Sequence, residues 1–134
     1  MHRRGVAAVE MAIVAPLLLL FALASADFGR VVHAYAVVSN AARCGAEYGS
    51  MHGFTPYTRA SWESRIRQRA TEEMEGVSGF DAGQMNLTIT TSEDGDELLR
   101  TAVEVEYPFH TVVNWLGLPS RVTLTHRVEM RRIQ

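Results

Sequence analysis

The chain has 134 residues, a formal net charge of −2 and one cysteine, Cys44. This length accommodates one membrane segment and one small domain, and the near-neutral charge gives no indication of a nucleic-acid partner. A single cysteine excludes an intramolecular disulfide and a cysteine zinc cluster, so Cys44 is interpreted as a small buried residue.

The first thirty residues contain the most informative pattern in the sequence. A basic leader ending at Gly5 precedes an apolar run from Val6 to Ala26 that contains one charge, Glu10. A carboxylate at mid-bilayer costs roughly 2.5–3.5 kcal/mol on insertion scales, so Glu10 is expected to have a partner. A cut after Gly5 would leave the new amino terminus on Val6, about one and a half helical turns from Glu10. The two charges could then neutralise each other between neighbouring subunits.

The apolar run has about the twenty residues needed to cross a hydrocarbon core. The basic residues before it and Asp27 after it favour a cytoplasmic amino terminus, with the rest of the chain outside. Two other interpretations stay open. In one, Ala24-Ser25-Ala26 is the cleavage site of a secretory signal peptide. In the other, the run is a permanent signal anchor, and Glu10 lies near the cytoplasmic interface without a partner.

The helical pattern continues beyond the apolar run. Apolar residues recur at three- and four-residue spacing and predict one packing face for the later part of the chain: Phe28, Val31, Val32, Tyr35, Val38 and Ala42. A helix from Val6 to Tyr48 would be roughly 65 Å long. Gly49 is predicted to end it as a left-handed cap.

The remaining residues predict a small domain with a second helix and an antiparallel sheet. Trp62, Ile66, Ala70 and Met74 recur every four residues, as in a helix with a narrow apolar stripe. Three later segments alternate apolar and polar residues, which is typical of half-buried strands. The acidic segment 92–97 contains an Asp-Gly turn signal and is interpreted as a solvated hairpin tip. The segment Val112–Leu118 is unusually apolar for a connection and predicts either a short helix closing the core or a subunit contact.

No catalytic or metal-binding constellation emerges from the sequence. The five histidines lack metal-ligand spacing, and neither a nucleophile elbow nor a phosphate-binding glycine loop is present. His126 falls on the apolar phase of the last strand and is expected either to be hydrogen-bonded in the core or to turn outward at a bulge. The sequence therefore predicts neither an enzyme, a cofactor nor a metal site.

Four blocks in the first third of the chain resemble the TadE-like family, the pilin-like proteins of the tight-adherence (Flp) pilus machinery. The blocks occur in order as Arg4–Ala12, Pro16–Leu20, Asp27–Arg30 and Asn40–Ala46. Basic residues, a glycine and then a glutamate at the fifth position of an apolar helix also resemble the processing site of type IV pilin precursors.

This resemblance implies an α+β, type IV pilin-like fold with a long spine helix, a second helix and a small antiparallel sheet. It implies a leader at 1–5, a transmembrane part at 6–26, a helical continuation at 27–49 and an extracytoplasmic domain at 50–134. Cleavage by a prepilin peptidase would fall between Gly5 and Val6, and Glu10 would act in subunit recognition. The implied protein is a pseudopilin or minor pilin of the bacterial inner membrane. Its implied partners are other pilins, the peptidase, the inner-membrane assembly platform and the lipid bilayer. The alternative function is an extracytoplasmic binding domain unrelated to pili.

Overall fold

The computed structural model describes residues 3–93, 99–112 and 120–132. In chain order the elements are helix α1 (Arg3–Met51), helix α2 (Arg59–Met74), a short 3-10 helix (Ala82–Gln84), and strands β1 (Asn86–Glu93), β2 (Leu99–His110) and β3 (Arg121–Arg131). The predicted α+β layout of a long apolar helix, a second helix and a small antiparallel sheet is confirmed.

The three strands form one antiparallel sheet in the order β1-β2-β3. The predicted alternation places Leu87, Val103, Val105 and Leu124 in the core, each at most 6% exposed. β2 lies in the centre and is the most buried strand, because both of its edges are paired and helices cover one face. β1 and β2 pair as far as Glu93 and Leu99, which fits a hairpin connection. The acidic turn itself, 94–98, lies outside the described residues.

One apolar core joins both helices to the inner face of the sheet. The four-residue spacing in α2 predicted its buried side correctly, since Trp62, Ile66, Ala70 and Met74 are all buried. Helix α1 contributes mainly alanines to this core, together with Val38. None of these side chains is more than 2% exposed: Ala34, Val38, Ala41, Ala42 and Ala46. Small side chains let α1 lie close to α2 and to the sheet.

Gly49 has a different role from the predicted helix cap. α1 continues through it to Met51, and Gly79 is the glycine at positive φ among the described residues. A Cβ added at Gly49 would lie 2.7 Å from Thr101 Cγ2 and 3.1 Å from Ile66 Cδ1. The glycine is therefore needed for close approach of α1 to β2 and α2, while the helix itself continues.

This close approach predicts opposite effects for two alanine substitutions in one helix. Gly49→Ala should lower the free energy of unfolding by about 1–3 kcal/mol, because the added methyl overpacks a closed core. Gly29→Ala should be neutral or stabilising by up to about 1 kcal/mol, because no atom lies within 4 Å of its added Cβ and alanine favours helix. Denaturant unfolding of the detergent-solubilised chain, followed by near-ultraviolet circular dichroism, measures both. Equal stability of the two variants would contradict the packing role of Gly49.

Candidate functional site

The first part of α1 is apolar on all sides and is not covered by the rest of the protein. Eleven of its large apolar side chains are between 41% and 66% exposed: Val6, Val9, Met11, Ile13, Val14, Leu17, Leu18, Leu19, Leu20, Phe21 and Leu23. A helix that is hydrophobic all round is normally buried, either in a protein core or in a membrane. Because the most apolar eighteen-residue stretch has no buried residue, α1 is a candidate membrane span by its length and composition.

The residues predicted for processing lie at the start of this helix. α1 begins at Arg3, so the peptide bond after Gly5 falls within its first turn. Apart from its chain neighbours and the backbone of its own helix, no described atom lies within 4 Å of a Cβ built on Gly5, and Val6 is 58% exposed. The described part of the folded domain therefore leaves this bond uncovered, as access by a protease requires.

Glu10 is exposed on the same uncovered helix. No salt bridge reaches its carboxylate among the side chains that the structure describes. The described part of the chain therefore places this acid on an otherwise apolar surface and offers it no ion-pair partner.

The predicted packing face of α1 differs from the buried face that the structure shows. Val38 and Ala42 are fully buried, and Val31 is partly buried against the core. Tyr35 is 45% exposed, and its hydroxyl lies 3.3 Å from Nδ1 of His126. Phe28 is 71% exposed and does not belong to the buried face.

The difference in the packing face has a geometric reason. Successive residues of an α-helix are rotated by about 100°, which places Phe28 about 80° and Tyr35 about 60° from Val38. Ala34 and Gly45 lie within about 40° of Val38, and Ala41 lies about 60° from it on the side opposite to Tyr35. These small residues are buried and form the actual contact. A stripe chosen by large apolar residues is therefore rotated away from the small residues that pack closest.

Asp27 is a buried carboxylate, whereas its place in the sequence indicates only a charge that flanks the apolar run. It is 5% exposed, and its Oδ1 accepts a hydrogen bond from the backbone N–H of Val112 at 3.1 Å. The guanidinium of Arg30 lies 3.3 Å from the same oxygen. Helix periodicity could have predicted this burial, because Asp27 lies eleven residues, or three turns, before Val38 and so shares its helix face. Asp27 joins the end of the candidate membrane span to the segment just after β2.

Other predicted features carry no recognisable chemistry. Within the described residues, no group of three or more His, Cys, Asp or Glu could hold a metal ion. Burial, reinforced by the carboxylates of Glu73 and Glu47, raises the pKa of the partly buried Cys44 thiol. A neutral thiol is a poor nucleophile.

His126 lies on strand β3, which pairs continuously with β2, so no bulge turns it outward. Of the apolar segment Val112–Leu118, only Val112 belongs to the described residues.

A long apolar helix that leaves the folded domain uncovered is a candidate membrane span, and this arrangement is consistent with a single-pass membrane protein. Residues 5–47 match the family model of TadE-like proteins, which confirms the resemblance seen in the sequence blocks. The match covers the candidate span and most of the spine that packs in the domain. No significant match was found among curated proteins or among solved structures. The family match suggests a role in tight-adherence pilus systems.

The buried face of α1 generates a test with a matched control. Val38→Asp places a charge at a fully buried position, and an uncompensated buried charge typically costs about 3–5 kcal/mol. Ala36→Asp places the same charge on the exposed side of α1, two residues away, and should cost less than about 1 kcal/mol. Thermal unfolding of the two detergent-solubilised variants compares them. Similar midpoints would show that Val38 is not part of the core.

Proposed function

We propose that this chain is a pseudopilin or minor pilin that acts in assembly of a tight-adherence (Flp) pilus. The observation that carries the proposal is a single α1 that is apolar and uncovered over its first half, with Glu10 as its lone acid, and buried in the domain over its second half. The match of residues 5–47 to TadE-like proteins supports the same conclusion. In this proposal the chain is not an enzyme and needs no cofactor.

The proposed life cycle begins with insertion into the bacterial inner membrane, with the amino terminus in the cytoplasm and the α+β domain outside. A prepilin peptidase then cuts between Gly5 and Val6. The mature chain associates with other pilins and with the inner-membrane assembly platform. Glu10 neutralises the amino terminus of a neighbouring subunit, which gives the carboxylate an ion-pair partner within the membrane.

Cleavage after Ala26 is the principal alternative, because it would release a soluble extracytoplasmic domain. Two features of α1 disfavour it. The bond between Ala26 and Asp27 lies in the middle of a continuous helix, and Asp27 is buried and bonded to Val112 and Arg30. Once the domain has folded, a protease would have to unwind this part of it to reach the bond.

The mature amino terminus tests the processing step. Mass spectrometry of protein extracted from membranes of cells that contain the matching peptidase should show a chain beginning at Val6. Gly5→Leu should abolish this species and leave the uncut chain, while Gly29→Leu should leave cleavage unchanged. A chain beginning at Asp27 would establish the signal-peptide alternative, and an uncut wild-type chain would favour a permanent anchor.

The charge of Glu10 tests the proposed subunit recognition. Glu10→Gln keeps the size of the side chain and removes its charge, so insertion should survive because the segment becomes more apolar. Cleavage should largely survive, because Glu10 lies outside the scissile bond. Assembly should fail, because an amino terminus in an apolar environment loses its counter-charge, at a typical cost of about 3–5 kcal/mol.

The assembly measurement is co-isolation of the Glu10→Gln chain with its pilus partners, together with counts of pili per cell. Glu47→Gln, a change at an exposed acid of the same helix outside the membrane segment, is the matched control and should assemble normally. Normal complex formation and normal piliation with Glu10→Gln would show that Glu10 is not the recognition group.

A further inference from the structure

The end of the domain nearest to the candidate membrane span exposes apolar side chains from three different elements. Phe28 on α1 is 71% exposed, Val112 after β2 is 73% exposed and Val122 on β3 is 38% exposed. Phe28, Val112 and Val122 together are called the junction surface here. In a protein surrounded by water, such a set of exposed apolar residues calls for an explanation by a partner or a membrane.

Contacts with α1 fix the level of the sheet relative to the membrane segment. The backbone N–H of Val112 donates to Asp27 Oδ1 at 3.1 Å, so Val112 lies beside the residue that directly follows the apolar run. Phe109 pairs with Val122 and His110 pairs with Arg121, which brings the start of β3 to the same end of the sheet. The hydroxyl of Tyr35 contacts His126 at 3.3 Å, so β3 runs away from this end in the same direction as α1.

The distance to the bilayer follows from helix geometry. Phe28 lies two residues beyond Ala26, or about 3 Å along the helix axis. The polar layer on each side of a hydrocarbon core is about 5–8 Å thick. If the apolar run fills the core, residues at the level of Asp27 and Phe28 lie within this layer. The contact between Asp27 and Val112 places the end of the sheet there as well.

The charged groups at this end fit the same environment. Arg30 and Arg121 are exposed, and Arg30 also lies over the ring of Phe109 at 5.3 Å. The nearby acid, Asp27, is buried and accepts bonds from Arg30 and Val112. Arginine side chains at a membrane boundary bury their stems among apolar groups and extend their charge toward phosphates. Apolar residues beside exposed arginines are typical of the region between headgroups and acyl chains.

We propose that the junction surface lies in the boundary between headgroups and acyl chains of the lipid bilayer. The sheet is then held against the membrane at a second place besides the spanning helix. Phe28 lies two residues beyond the uncovered apolar run, and Val112 is bonded to Asp27, so the junction surface begins where the candidate span ends. This position favours lipid over a protein partner as its occupant. This inference rests on the membrane insertion contained in the proposed function, and it adds a lipid contact for the sheet.

Spin labels measure the depth of each position in the intact chain. Cys44→Ala removes the single cysteine, and four further variants each add one cysteine: Leu18→Cys in the span, Val112→Cys and Val122→Cys on the junction surface, and Tyr57→Cys at a turn residue that is 98% exposed. Each labelled full-length chain is reconstituted into vesicles of phosphatidylethanolamine and phosphatidylglycerol. Collisions with oxygen, which concentrates in lipid, are compared with collisions with a water-soluble nickel chelate.

The junction surface should give a ratio of oxygen to nickel collisions several-fold higher than that at Tyr57→Cys and lower than that at Leu18→Cys. Equal ratios at Val112→Cys, Val122→Cys and Tyr57→Cys, with Leu18→Cys still in lipid, would overturn the inference and leave the proposed function intact. A label at Leu18→Cys that behaves as in water would overturn membrane insertion, and with it both proposals. Labels at Val112→Cys and Val122→Cys could instead be protected from both oxygen and the nickel chelate, and lose this protection when the protein is diluted with lipid. That result would overturn the lipid contact and show that a neighbouring subunit covers the junction surface.

Discussion

The structure depends on the close approach of α1 to α2 and β2. At Gly45 an added Cβ would lie 3.2 Å from Val103 and 3.3 Å from Ile66, so one helical position touches both neighbours. Fully buried alanines continue this surface along the helix. A helix satisfies its own backbone hydrogen bonds, so α1 can leave the domain without losing structure. The same element therefore serves as a core helix over one half and as an uncovered apolar helix, a candidate membrane span, over the other.

Asp27 lies where these two environments meet. A carboxylate would be costly in lipid, and an unpaired one would be costly in the core. At this position it has both an arginine and a backbone N–H as partners, so it is compatible with burial just outside the apolar run. The residues before it are exposed and apolar, whereas those after it alternate between core contacts and solvent.

Much of the layout could be predicted from local patterns in the sequence. The four-residue spacing gave the buried side of α2 because its partners approach from one direction. The alternation in β1, β2 and β3 located the strands because one face of the sheet is covered. The roles of Gly49 and Asp27 depend on what lies across from them, Thr101 and Val112, which no local pattern contains. For the same reason the exposed position of Phe28 could not be predicted from its apolar character.

The chain order of the contacts has a consequence for how the protein matures. Asp27 accepts a hydrogen bond from a residue 85 positions later in the chain, and Tyr35 is hydrogen-bonded to a residue 91 positions later. Contacts between residues so far apart in the chain form late in folding, because the entropy of closing the loop is lost before the contacts compensate for it. The buried face of α1 therefore stays uncovered until β3 has been synthesised and, in the proposed topology, exported. During this interval the unfinished chain exposes an apolar helix face, and exposed apolar surface of this kind makes folding intermediates prone to aggregation.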